Sequence, residues 1–222
     1  MSPDPETGLL GVGAGRAWLI AAALLFWIAW ALMPGVGVTD AAQILDTVGM
    51  RQETVKLSVI LQLASAVCYA PGAVSLALRA HAERARGLVA GAVLLLVGAM
   101  GSAADSVFHW LAVEMTAPGV SRGAMLPVMA RMQGPALVVV APLIAAFFLG
   151  TWVLAVTAAR ARWVPRACAA LALLSPLVIA VRAIPGVGAR TAGLLFLACV
   201  CASQAWIALG LGGRAGASVP PV

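Results

Sequence analysis

Asp105 and His109 are the side chains whose types and spacing come nearest to chemistry. With Gly98 and Ser102 they step by 4, 3 and 4 along the chain, which places all of them on one stripe of a helix. A carboxylate beside an imidazole holds the ring in one tautomer, stabilises its charged form or passes a proton. The plainer alternative is that Asp105 simply satisfies His109 and ties its helix to the neighbours. Ser58, Gln62, Ser65 and Tyr69 step by 4, 3 and 4 in the same way. The short turn at residues 80–85 makes the two helices antiparallel neighbours, so the stripes are expected to face each other. Glu114 and Arg182 stand at a similar depth. Arg182 either snorkels to the surface or turns inward as the counter-charge of Asp105 or Glu114. Gln62, Tyr69, Asp105, His109, Glu114 and Arg182 are therefore the candidate ligand-binding residues, and no catalytic residue is assigned.

Other chemistries find less support. His109 is followed by Glu114 and by the methionines Met115, Met125, Met129 and Met132, and imidazole and thioether are ligand types that suit copper(I). However, His109 and Glu114 are five apart, and the remaining histidine, His81, lies in the turn, so neither a metal site nor bis-histidine haem is expected. Cys68, Cys168, Cys199 and Cys201 sit in apolar runs and form no CxxC pair; such thiols behave as small hydrophobes. The glycines at 11–15 and 210–213 lack the context of a phosphate loop, and no GxSxG or HExxH pattern occurs. No cofactor is assigned.

These residues sit in an unusual setting. Of 222 residues, 63% are hydrophobic and 10% charged, and the mean hydropathy is +1.02, against roughly 25% charged in soluble domains. A water-soluble fold is excluded. The net charge of +6 does not point to nucleic acid, because the basic residues fall in short breaks between apolar runs, as the positive-inside rule has it. Charge-free windows at 17–39, 57–78, 132–159 and 191–213 are each long enough to cross a bilayer core, which takes about 20 residues. Two further spans follow if Asp105 and His109 are tolerated in one and Arg182 snorkels in the other. Spans are predicted near 17–33, 55–78, 88–113, 135–159, 167–184 and 190–212. Alternation of the kind a β-barrel requires is missing. Thr39 is expected to N-cap a short helix with Ile44, Leu45 and Val48 on its apolar face, and Met125, Met129 and Met132 mark a second; both are expected on the outer leaflet. The fold class is thus an all-α, six-span integral membrane bundle with two short outer interfacial helices, in one domain of residues 1–222.

Counting Lys and Arg puts eight on one side of this topology and six on the other, which favours cytoplasmic termini in a bacterial-type inner membrane. The first span reads as retained rather than as a cleaved signal peptide, since Asp4 and Glu6 precede it and Pro34-Gly35 resembles a helix stop. Gly213–Val222 is expected to fray. Pro71, Pro142 and Pro176 should each interrupt a span. Gly87 with Gly91, and Gly98 with Gly101 and Ser102, predict close packing of the third span on another helix or on a second subunit. The functional expectation is a non-catalytic membrane protein that binds a small apolar or amphipathic molecule in its outer half or joins a larger membrane complex. Membrane lipid, other subunits or a second copy are the expected partners, and nucleic acid is not. A quinone-linked oxidoreductase or a proton-coupled transporter using Asp105 and His109 is the alternative.

Overall fold

The computed structural model describes residues 11–134, 137–184 and 188–212. The expectations for the Gly213–Val222 tail, Pro185-Gly186 and the first residues of the fourth span lie outside them. The elements are α1 (Val12–Leu32), α2 (Ala41–Met50), α3 (Gln52–Ala82), α4 (Arg86–Glu114), α5 (Arg122–Gln133), α6 (Leu137–Arg160), α7 (Arg166–Leu174) with a 3-10 segment (Ser175–Ala183), and α8 (Ala189–Gly212). Among the described residues, six helical segments are long and apolar enough to cross a membrane, α7 and its 3-10 continuation counting as one. Each matches a predicted span within a few residues. Backbone groups in hydrocarbon must be satisfied inside the segment, and this is why apolar runs of this length become helices.

The spans close into a ring in the order α1, α3, α4, α6, α7, α8, with α8 returning to α1. Two contacts are set by small residues and hydroxyls. On α3, Ser58 and Ser65 donate to the α1 carbonyls of Ala29 and Ala22, both at 2.8 Å. Matching seven-residue steps on two antiparallel helices fix their register. On α4, the glycine face packs against α6 of the same chain. A Cβ added to Gly98 would stand 2.2 Å from Phe147 Cα, and one on Gly101 would stand 2.5 Å from Leu143 Cβ. Gly150 answers from α6, where a Cβ would lie 2.5 Å from Leu95 N. Two helix backbones can approach this closely only where side chains are missing.

Helices α2 and α5 cover one end of the ring. The N-cap of α2 is Asp40, not Thr39, and its carboxylate accepts from Gln43 N at 2.9 Å; one residue further on, the carboxylate reaches the orphan amides that Thr39 would have to serve. Leu45 and Val48 of α2, with Met129 of α5, join Met33, Val55, Val59, Ala112 and Val113 in a second apolar cluster. Arg122 bridges to Asp46 at 2.8 Å. The apolar faces expected on the lipid surface are thus turned onto the bundle as a cover. The sixth-window segment also differs from one continuous helix: Pro176 offers no N–H to the Ala172 carbonyl, Ser175 Oγ donates to that carbonyl at 2.7 Å, and the chain winds on as 3-10.

At the opposite end, Arg79 pairs with Glu83 at 3.1 Å, donates to the Leu211 carbonyl, and lies over the Trp163 ring at 5.2 Å. Glu83 also accepts from Trp163 Nε1 at 3.1 Å. This cluster links α3, the α6–α7 turn and α8. The α3 and α6 ends share one device: Arg84 and Arg162 adopt φ of 56° and 60°, and paired backbone bonds, Ala85 N to Ala80 O and Trp163 N to Ala158 O at 2.8 Å, close each helix in a Schellman motif.

Candidate functional site

Asp105 and His109 face one another across a turn of α4, with Oδ2 and Nδ1 3.6 Å apart and side chains 15% and 25% exposed. This distance is too long for a hydrogen bond. Among the described residues His109 Nδ1 is buried without a hydrogen-bond partner, and so is Nε1 of Trp30, whose ring meets His109 edge-on with centroids 5.7 Å apart. Buried donors and acceptors of this kind are rare in folded proteins, and here two of them gather beside a carboxylate.

Two cavities meet at this point. One, of about 250 Å³, lies among α1, α4, α6 and α8; its walls include Phe26, Phe147, Phe148 and Phe196, with Ser102 and Gly98 on the α4 side. The other, of about 290 Å³, lies beneath the cover formed by α2 and α5 and is walled by His109, Met129, Met132, Thr39 and Thr47. Trp30, Val36 and Asp105 belong to both. The first is an aromatic chamber: Phe26 stacks on Phe147 at 4.8 Å and Phe148 on Phe196 at 5.1 Å. The second carries hydroxyls, an imidazole and thioethers.

The second polar stripe does not assemble around this pair. Ser58 and Ser65 bond to α1, as described. Gln62 reaches α4, but at Ser106: Ser106 Oγ donates to Gln62 Oε1 at 3.0 Å, so Gln62 meets α4 one residue beyond Asp105. Tyr69 is fully buried and donates to Gln204 Oε1 of α8 at 2.5 Å. Gln204 Nε2 donates to Thr151 Oγ1 of α6 at 2.7 Å, and Thr151 donates to the Phe147 carbonyl at 3.0 Å. Glu114 and Arg182 are exposed, and neither lines the two cavities nor forms an ion pair among the described residues. Arg182 stands exposed in the last turn of the 3-10 segment and does not turn inward toward Asp105 or Glu114. Of the six candidates the structure brings together Asp105 and His109, keeps Gln62 and Tyr69 buried on other partners, and leaves Glu114 and Arg182 outside.

Ser106, Thr151 and Gln204 were not singled out from the sequence. The signal for them was a neutral amide or hydroxyl inside an apolar span, which has to find a partner within the bundle. Trp30, which with Val36 and Asp105 is shared by both cavities, carries no such mark. Comparison with protein-family models, curated proteins and solved structures gives no match for this chain.

Proposed function

We propose that this chain is a non-catalytic integral membrane protein that holds one small amphipathic molecule in the end of the bundle covered by α2 and α5, and that this end faces outward from a bacterial-type cytoplasmic membrane. The observation that carries the reading is the pair of cavities joined at Asp105, one walled by aromatic rings and the other by polar groups and thioethers. Binding sites are typically apolar hollows with a few placed polar groups, of about 300–1,000 Å³ for drug-sized ligands. Each chamber is near the lower bound, which suits a single chain or a small ring more than a two-chain lipid. The subunit reading loses one of its supports, since the glycine face of α4 is taken up by α6. The oxidoreductase reading called on Tyr69 together with Asp105 and His109, and Tyr69 is engaged with Gln204 instead.

The test is stabilisation by a neutral amphiphile. Decanol added to the protein in amphipol should raise its melting temperature with a saturable concentration dependence, since a ligand of the native state alone stabilises it by mass action. Gly193 lines the aromatic chamber, and Gly193→Leu should fill it and abolish the response. A wild-type melting temperature that does not move, or an undiminished response in Gly193→Leu, would overturn the proposal.

A further inference from the structure

Resting on that reading, we infer that the ligand's head group is a protonated amine and that its nitrogen bridges Asp105 and His109. Charge complementarity gives the sign. Among the described residues, Asp105 is the one acid on the walls of the two chambers, and neither wall carries Lys or Arg. An anionic head, whether carboxylate or phosphate, would meet a carboxylate and no basic partner other than the imidazole, in surroundings where like charges are weakly screened.

Geometry gives the donor. The 3.6 Å separating Oδ2 from Nδ1 is too wide for the two to bond each other, yet a third atom placed between them can lie at about 2.9 Å from both. With the imidazole proton on Nε2, that atom donates twice: once to the carboxylate and once to Nδ1. An ammonium has three donors and no acceptor. It would partner the buried Nδ1 that has no hydrogen-bond partner among the described residues, and it would counter the carboxylate charge. An alkyl chain attached to that nitrogen has the aromatic chamber on one side of Asp105 to enter. The ligand class is therefore a single-chain amphiphile with a primary ammonium head.

Four ten-carbon probes separate the possibilities on the full chain in amphipol, read by melting temperature against concentration: decylamine, decanol, decanoate and decyltrimethylammonium. Decylamine is expected to bind at least about tenfold more tightly than decanol, and decanoate more weakly than either. Decyltrimethylammonium keeps the charge and lacks N–H donors, so it should fall well below decylamine; this comparison needs only the wild-type protein. Asp105→Asn should remove the advantage of decylamine over decanol, and His109→Phe should lower decylamine more than decanol. Equal binding of decylamine and decyltrimethylammonium, tighter binding of decanoate, or an Asp105→Asn protein that keeps the amine preference would each overturn the bridge. Saturable decanol binding with no amine preference sinks this inference and leaves the amphiphile site standing, whereas no binding of any probe removes both.

Discussion

Tyr69 shows how a single residue is held when water is not an option. Its hydroxyl finds Gln204 on α8, and Gln204 in turn engages Thr151 on α6, so one amide serves two other helices. Hydrogen bonds between membrane helices average about 0.6 kcal/mol and reach about 1.7. Tyr69→Phe is therefore expected to destabilise the protein by roughly 0.5–1.5 kcal/mol, and Gln204→Leu, which orphans both partners, by more. Unfolding in mixed micelles with increasing denaturing detergent checks the order; Tyr69→Phe proving the costlier change would mean that the network is not centred on Gln204. The same contrast marks what was legible at this scale. Asp105 and His109 stand out because ionisable groups are scarce in spans, and their four-residue step puts them side by side as expected. Gln204 and Thr151 passed unnoticed because a neutral amide or hydroxyl alone in a span has no spacing partner in its own helix. The aromatic chamber is assembled from rings on three helices, α1, α6 and α8, together with the glycine face of α4, and nothing in one segment announces the others.

At the scale of elements, the length and hydropathy of the apolar windows located four of the long apolar helices directly, and the other two emerged once Asp105, His109 and Arg182 were tolerated within them. What those windows could not supply was the partner of each face. The glycine face of α4 was expected to pack closely, and the structure identifies the partner as α6. Gly98→Ala should cost roughly 1–3 kcal/mol, as overpacking does, because its new carbon meets the Phe147 backbone, which cannot rotate aside. Gly13 has nothing within 4 Å of an added Cβ, so Gly13→Ala should be close to neutral, and comparison of the two unfolding midpoints tests the argument. A second prediction has the opposite sign. Arg162 holds a left-handed φ of 60°, a conformation costing most L-residues roughly 1–2 kcal/mol and glycine almost nothing. Arg162→Gly should raise stability by about 0.5–1 kcal/mol, measured in the same assay; a fall would show that the guanidinium contributes more than the backbone loses.

For the whole molecule, the exposed arginines Arg84, Arg86, Arg160, Arg162 and Arg166 gather at the end away from α2 and α5, which supports the proposal that this end is cytoplasmic. Reporters inserted between Ala80 and Ala85 or fused after Val222 should both give a cytoplasmic signal, and a periplasmic signal at either point would invert or break the proposed topology. The ring order carries a further consequence for how the protein is made. Helix α8 is synthesised after the other described helices, yet it is the element that returns to α1, where Arg190 donates to the Ala31 carbonyl across 159 positions, and that supplies the partner of Tyr69 across 135. At about 5–20 residues per second, Tyr69 precedes Gln204 by roughly 7–27 s. During that interval the nascent helices hold a tyrosine hydroxyl in lipid with its future acceptor still unmade, and α1 has one flank open. The ring cannot close from its N-terminal end outward, so an unfinished chain differs from a finished one by a tyrosine hydroxyl whose acceptor is still to come.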